Sequence, residues 1–301
     1  MTNQTVDNEE RARYWMSVLG DDYLRSHFST DQPLAIQQLT HNRYRTNPRT
    51  LVDHTLACLD LDGTEAVLDV GCGNGFVLRD VASRMRYPGS ITAIDQSAEI
   101  LNVAKENVNF TWVPVDYING DARQLDTLIE TQFDCVMANF LFHYIDNPGQ
   151  MVSQLRRATA EDGLAVVTVE GLDSMPEMYQ LHEEAMHAVG IPADVIERAP
   201  KGRRGTLSPH NGRAILEQEF PHVTEHPYED WLRFDEARPF MEFYASGHRY
   251  AGLEKVAGDN VSEEQFTALF LDVQRRVEEI IDQQGFFRLS KVNVVFVARA
   301  S

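Results

Sequence analysis

Short apolar runs alternate with segments of helical periodicity from residue 66 onward, and this alternation narrows the choice of fold more than any other pattern in the chain. The first run, Ala66 to Gly71, precedes a glycine-rich turn and a helical segment. Four further strands are predicted at Ser90 to Asp95, Val113 to Ile118, Phe133 to Phe140 and Gly163 to Gly171. Because parallel strands need a crossover connection, usually a helix, this order predicts a doubly wound, Rossmann-like α/β sheet.

Two later segments extend the predicted sheet to seven strands. A short helix from Gly212 to Phe220 leads to a candidate strand at His222 to Leu232, and an alternating pattern makes Phe286 to Ala298 the last strand. Between them, Ser262 and Gln265 form a capping-box pair that starts a helix running to Gly285. Pro114 lies in the third strand, and since proline cannot donate to a ladder, we expect that strand at an edge.

These patterns divide the chain of 301 residues into six parts around one core. Helical segments precede and interrupt the sheet, and the first of them is a candidate lid. The predicted parts are an N-terminal helical segment (1–60), a cofactor-binding core (61–171), a cap insert (172–208), a core helix and strand (209–233), a helical cap insert (234–284) and a final core strand (285–301).

The charge balance restricts the partners. The chain has 27 Lys and Arg against 46 Asp and Glu, which gives a net charge of -19. Such a field repels a phosphate backbone, so we expect no nucleic-acid partner. The N-terminus is charged where a signal peptide is apolar, and no run reaches the ~18 apolar residues of a membrane span. With only three cysteines and no CxxC pair, we expect a cytoplasmic protein that has no membrane partner. The oligomeric state stays open.

The turn after the first strand carries the chemistry. It reads Gly71-Cys72-Gly73-Asn74-Gly75, at the strand end where ligands bind in doubly wound sheets. A dinucleotide fingerprint requires GxGxxG, but Phe76 occupies its last position. Asp69 also places a carboxylate where a pyrophosphate would approach, whereas a ligand with an ammonium and a sulfonium gains from it. The turn therefore favours S-adenosylmethionine over NAD.

Two further carboxylates follow the next strands. Asp95, which lies 20 residues beyond Gly75, suits the hydroxyls of a ribose, a role that both cofactors share. Asp121, after the third strand, suits an adenine amino group. The simpler alternatives are that Asp95 caps the helix starting near Ser97 and that Asp121 only forms a turn.

Together with the segment Asn139-Phe140-Leu141-Phe142-His143-Tyr144, these motifs resemble the class I S-adenosylmethionine-dependent methyltransferases, near the small-molecule branch often called UbiE-like. The resemblance covers residues 66–171 well and the later strands more loosely. It implies that the last strand is antiparallel and that S-adenosylmethionine is the cofactor, with S-adenosylhomocysteine as product. The [DN]PP[YF] signature of enzymes that methylate planar nitrogens is replaced by NFLF, which disfavours adenine or glutamine nitrogen as acceptor.

The resemblance also implies roles for individual residues. The methionine end of the cofactor would contact Asp69, Gly71 and Gly73, and later Asn139 and Phe140 of the fourth strand. The ribose would contact Asp95. The adenosine end would lie against the remaining cofactor-binding candidates, Gln96, Asp121 and Ala122.

Candidates for the acceptor side are less specific. His143 follows the fourth strand, where an imidazole can accept a proton from a substrate hydroxyl or amine, and it is the catalytic candidate. The alternative is a histidine that only packs at a helix start. Aromatic residues that would wall the substrate pocket are Tyr14, Tyr44, Phe142 and Tyr144, although aromatic residues are also common in cores.

No metal site is predicted, since His182 and His187 are five residues apart and point to different faces of a helix. We expect a methyltransferase that transfers a methyl group by in-line displacement to an O, N or C atom of a small molecule, in secondary or specialised metabolism. An NAD-dependent oxidoreductase and a non-catalytic S-adenosylmethionine-binding module are the alternatives.

Overall fold

The computed structural model describes residues 32–199, 205–246, 253 and 256–301, and the chain divides into two compact units. The sheet unit consists of the described residues within Arg49–Ser174, Arg203–Glu229 and Val292–Ser301. The helical unit consists of those within Met1–Pro48, Met175–Gly202 and Asp230–Lys291. The predicted division into six parts stays a prediction, and much of the candidate lid lies outside the described residues.

Seven strands form one sheet in the order β3-β2-β1-β4-β5-β7-β6. They are β1 (Ala66–Val70), β2 (Ser90–Asp95), β3 (Val115–Asn119), β4 (Phe133–Asn139), β5 (Thr159–Glu170), β6 (His222–Phe234) and β7 (Phe287–Arg299). The first five pair in parallel, while β7 is antiparallel to β5. The predicted doubly wound sheet with an antiparallel last strand is confirmed, and β3, directly after Pro114, lies at its edge.

Helices follow most strands, as the periodicity predicts. In chain order they are α1 (Gln32–Tyr44), α2 (Leu51–Leu59), α3 (Phe76–Ala82), α4 (Ala98–Asn107), α5 (Leu125–Leu128), α6 (Pro148–Ala158), α7 (Pro176–Ala188), α8 (Ala193–Arg198), α9 (Gly212–Leu216), α10 (Ala237–Ala245) and α11 (Glu263–Gln284). None of the described helices is long and apolar enough to span a membrane.

Strand register sorts the side chains of the sheet unit onto two faces. Asp69 is opposite Met137, Met137 is opposite Val166, and Val166 is opposite Val297, so these four side chains share one side, called here the front face. Apolar side chains of the front face pack with helices α2, α3 and α4. The alternate residues of the strands pack on the back face with α5, α6 and α9.

Most predicted boundaries lie within two residues of the structure, and two differ by more. Strand β5 begins at Thr159 rather than Gly163, because Thr159 pairs with Phe133 ahead of an irregularity in the β4 ladder. Helix α9 ends at Leu216, well before Phe220. The helix predicted from the capping box is confirmed: Ser262 and Gln265 make both reciprocal bonds, and Gly285 ends α11 in the left-handed conformation.

The helical unit has an aromatic core of its own. Rings of Phe234, Phe240, Phe287 and Tyr244 contact one another among the buried side chains of α7, α10 and α11. His182 of α7 hydrogen-bonds the Tyr244 hydroxyl at 2.5 Å, and both side chains are buried. His187 is exposed, so the two histidines do point to different helix faces.

Candidate active site in the sheet unit

The glycine turn is tied to the end of β2. Backbone N–H groups of Gly71 and Cys72 both donate to the carbonyl of Ile94, at 2.8 and 3.0 Å. Gly71 has a φ of 74°, and a Cβ there would lie 3.0 Å from Cδ1 of Leu141. Gly73 also has a positive φ, 54°. Glycine is needed in this turn because an L side chain would be strained and would narrow the approach to the backbone.

Asp95 completes the turn from the neighbouring strand. Its Oδ2 accepts the N–H of Gly73 at 3.0 Å, and its Oδ1 accepts the N–H of Ser97 at 3.0 Å. The N-cap of α4 is Ser97, whose hydroxyl accepts the N–H of Ile100. Because a carboxylate oxygen accepts more than one bond, Asp95 retains capacity for a ribose hydroxyl while it fixes the turn. Its ribose role stays a prediction.

Asp69 is buried directly before the turn. Its side chain is 2% exposed, and Oδ1 has no hydrogen-bond partner among the described residues. Burial, followed by the nearby negative charge of Asp95, raises the pKa of Asp69 to about 7. A buried acceptor next to a second carboxylate favours a ligand with a positive charge and disfavours one with two phosphates.

The residues beyond β2 and β3 form the other end of the site. The exposed Gln96 keeps its place through its carbonyl, which accepts a bond from Nδ2 of Asn119 at 3.0 Å, and the same nitrogen donates to the Asp95 carbonyl. Asn119 was not singled out from the sequence, although it directly precedes Gly120. It connects the two segments that would flank an adenosine.

Asp121 is engaged by an arginine that sequence reasoning missed. Its carboxylate pairs with the guanidinium of Arg123 at 2.6 Å and also accepts the Arg123 N–H at 2.9 Å. These hydrogen bonds lower the pKa of Asp121. The neighbouring Ala122 is buried at the start of a short 3-10 turn. The contacts of Asp121 with Arg123 are those of a turn-forming aspartate. The role of Asp121 in binding adenine stays a prediction.

The carboxyl end of β4 adds an amide to the site. Oδ1 of Asn139 accepts the Thr168 hydroxyl at 2.7 Å, whereas its buried Nδ2 has no partner among the described residues. Phe140 has a φ of 56° and donates its N–H to the Thr168 carbonyl at 2.8 Å. The ring of His143 lies 6.3 Å from that of Phe140, between centroids, and is partly buried. Its role as a base stays a prediction.

The structure describes three of the four predicted pocket aromatics, and their substrate role stays a prediction. Tyr14 lies outside the described residues. Tyr44 belongs to the helical unit, where its ring packs 5.0 Å from Phe234. Phe142 is 1% exposed and packs in the core of the sheet unit. Tyr144 is 47% exposed. Within the described part of the chain, no group of three His, Cys, Asp or Glu side chains is arranged for a metal ion.

Comparison with known proteins agrees with this geometry. Residues 68–167, from β1 to β5, match the family model of the methyltransferase domain. The match covers 100 of the 301 residues and makes this segment similar to a methyltransferase domain. The matched segment contains the glycine turn and the carboxylates that flank it, and it ends in the strand that holds Thr168.

Two curated relatives of the chain, both malonyl-[acyl-carrier protein] O-methyltransferases, differ in how much of the chain they match. The protein from Halalkalibacterium halodurans is 30% identical over 132 residues, which are 43% of this chain and 48% of the relative. That from Acetivibrio thermocellus is 23% identical over 273 residues, 88% of this chain and 89% of the relative. Several of the curated relatives are matched over only about half of their length.

Solved structures share the fold. Phosphoethanolamine N-methyltransferase 2 of Haemonchus contortus, solved with phosphomonomethylethanolamine and S-adenosylhomocysteine, superposes with a TM-score of 0.52 at 17% identity. The superposition covers 92% of this chain and 59% of that one. The YcgJ protein of Bacillus subtilis gives a TM-score of 0.51 at 12% identity and covers 82% of this chain and 97% of that one.

Proposed function

We propose that the chain is an S-adenosylmethionine-dependent methyltransferase that acts on an O, N or C atom of a small molecule. The observation that carries the proposal is the pair of carboxylates around the glycine turn, with Asp69 buried and its Oδ1 unpartnered among the described residues. A carboxylate in that position costs free energy unless a cation or a proton balances it. The ammonium of S-adenosylmethionine is a matching cation.

The remaining candidates fit the same ligand. Asp95 has the acceptor capacity that a ribose requires, and Asn139 offers an unpartnered N–H group toward the methionine portion. Gln96, Asp121 and Ala122 belong to the adenosine end of this proposal. NAD fits less well, since a pyrophosphate at the turn would face both Asp69 and Asp95.

Methyl transfer requires the protein mainly to place the cofactor and the acceptor correctly. When bound, S-adenosylmethionine supplies an activated methyl group on a sulfonium. The chain's own residues therefore hold the cofactor and the acceptor in register and exclude water. His143 is the group that would accept a proton from an acceptor that must lose one, and an acceptor that is already ionised would not need it.

The relatives suggest where the search for the acceptor should start. Because both relatives described above are malonyl-[acyl-carrier protein] O-methyltransferases, a carboxyl oxygen is the first acceptor to test. A cytoplasmic location belongs to the same proposal, since Cys58, Cys72 and Cys135 are all free thiols, as in a reducing compartment.

The test is transfer of a tritiated methyl group from S-adenosylmethionine to a panel of acceptors. The panel contains a malonyl thioester, small carboxylic acids, phenols, amines and amides, and S-adenosylhomocysteine release is followed in parallel. We expect release that depends on one acceptor class, and loss of at least tenfold in Asp95→Ala but not in Asp116→Asn, a change at an exposed position. Cofactor binding without release on any acceptor would favour the non-catalytic module instead.

A further inference from the structure

A fully buried asparagine lies on β7 at the same edge of the sheet. Asn293 has 0% exposure, and neither Oδ1 nor Nδ2 of its side chain has a hydrogen-bond partner among the described residues. An amide with both groups unsatisfied is costly in a buried position, because both lost their bonds to water. Such an amide calls for a partner that the described residues do not supply, and a bound ligand is one candidate.

Strand register places Asn293 beside the candidate site. It is directly opposite Glu170 of β5, so the two side chains are on the same face. Thr168 precedes Glu170 by two residues on that face and is opposite Asn139 of β4. On β4, Asn139 is two residues after Met137, which is opposite Asp69. Asn139 and Asn293 are therefore both on the front face with Asp69.

The front face thus carries a continuous polar row at this edge. On β2 and β1 the row consists of Asp95 and Asp69, the proposed cofactor side. On β4, β5 and β7 it continues with Asn139, Glu170 and Asn293. Glu170 is 4% exposed, and its Oε1 accepts the Ser174 hydroxyl at 2.9 Å. Of these three, Glu170 and Asn293 have no role in cofactor binding, yet both are polar and buried.

We propose that Asn293, with Glu170 beside it, binds a polar group of the methyl acceptor. This inference rests on the proposed function, which supplies the cofactor side of the row. Oδ1 of Asn293 needs a donor and Nδ2 needs an acceptor, so the matching group carries both. A hydroxyl or a carboxamide does, whereas a carboxylate brings no donor.

The spacing of strands sets the size of the acceptor. Asn139 and Asn293 are separated by β5 and are offset by two residues along it, so with strands ~4.8 Å apart and a rise of ~3.3 Å per residue their backbones are roughly 12 Å from each other. The recognised hydroxyl or carboxamide is therefore a second polar group, several bonds away from the atom that is methylated. Because Asn293 is fully buried, the bound group is enclosed, and its entry requires local opening.

Nuclear magnetic resonance of the full chain tests this directly. The protein is labelled with ¹⁵N-asparagine, and the side-chain amide signal of Asn293 is assigned by its absence in Asn293→Leu. Benzamide, benzyl alcohol and benzoate are the probes, each equilibrated with the free protein and with the protein saturated with S-adenosylhomocysteine. The matched control is Asn102→Leu, at an exposed position of α4.

We expect benzamide and benzyl alcohol to shift the Asn293 signal, and their affinity to fall about tenfold or more in Asn293→Leu but not in Asn102→Leu. Affinity for S-adenosylhomocysteine stays within about twofold in both variants. Asn293→Leu should also raise Tm, since it removes an unsatisfied buried amide. The inference is overturned if no probe shifts the signal, if benzoate shifts it most, or if Asn293→Leu binds the probes as well as the parent does.

A lower Tm for Asn293→Leu would also overturn the inference, since it would mean that the amide is already satisfied inside the protein. Failure of the proposed function gives a different result. In that case the parent does not bind S-adenosylhomocysteine, whatever the probes do at Asn293.

Discussion

Replacing Asp69 by asparagine should stabilise the protein without ligand, and increasingly so as pH rises. The pKa of Asp69 is raised from 3.8 to about 7 in the folded protein, chiefly by burial. Between these values the folded chain holds a proton that the unfolded chain has released, so the stability of the parent falls as pH rises through this window. Asp69→Asn has no such proton to lose.

The size of the effect follows from the same two values. The pKa of Asp69 rises from 3.8 to about 7 on folding, and a pKa difference of one corresponds to about 1.4 kcal/mol. Above pH 7, the buried carboxylate therefore lowers the free energy of unfolding of the parent by about 4 kcal/mol. Between pH 5 and pH 8 the stability advantage of Asp69→Asn should grow by roughly 2–3 kcal/mol. Below pH 4 the advantage should be small, because Asp69 is then protonated in most folded and many unfolded molecules.

Urea denaturation at pH 5 and pH 8, monitored by circular dichroism, measures this difference in stability. Asp116→Asn, an exposed change on β3, is the control and should give the parent's pH dependence. With S-adenosylmethionine present, the order should reverse, because the ligand's ammonium stabilises the carboxylate of the parent only. Parallel stability curves for Asp69→Asn and the parent from pH 5 to pH 8 would refute the reasoning.

Three further changes probe other parts of the account. Gly71→Ala should lower stability by about 1–2 kcal/mol and weaken S-adenosylhomocysteine binding, since φ is 74° there, and unchanged calorimetry would contradict this. Asp121→Asn keeps the turn-forming oxygen but loses the charge, and should weaken that binding about three- to tenfold if the residue holds adenine. Ser262→Ala removes the capping box of α11 and should cost about 1 kcal/mol in urea denaturation while cofactor affinity stays the same.

The strands of the sheet were predictable from the sequence wherever the residues at a strand's ends indicate the same boundaries as its pairing with the neighbouring strand. Strand β2 has the predicted bounds, since Ser90 begins it after Gly89 and Asp95 ends it before the cap of α4. Strand β3 is at the predicted edge, although Pro114 precedes the strand and is not part of its ladder. Strand β5 was predicted too short, because Thr159 and the residues after it are polar and read as a loop. Their strand pairing with β4 is a tertiary effect.

The residues on the cofactor side of the site could be predicted from the sequence, whereas those proposed for the acceptor side could not. Asp69, Gly71 and Asp95 follow from the spacing of strand, turn and helix. Asn293 looks like the solvent side of an alternating strand, and only the position of β7 between β5 and β6 shows that it is buried. Arg123 was missed because its bond to Asp121 depends on the shape of one turn.

The central claim is that the carboxylates at the glycine turn bind a nucleoside with a positive charge. Isothermal titration calorimetry of the full chain with S-adenosylmethionine, 5′-methylthioadenosine and NAD⁺ measures it most directly. The account predicts that S-adenosylmethionine binds at least about tenfold more tightly than 5′-methylthioadenosine, which lacks the ammonium, and that NAD⁺ gives no heat. Equal affinity for the two nucleosides, or binding of NAD⁺ alone, would contradict it.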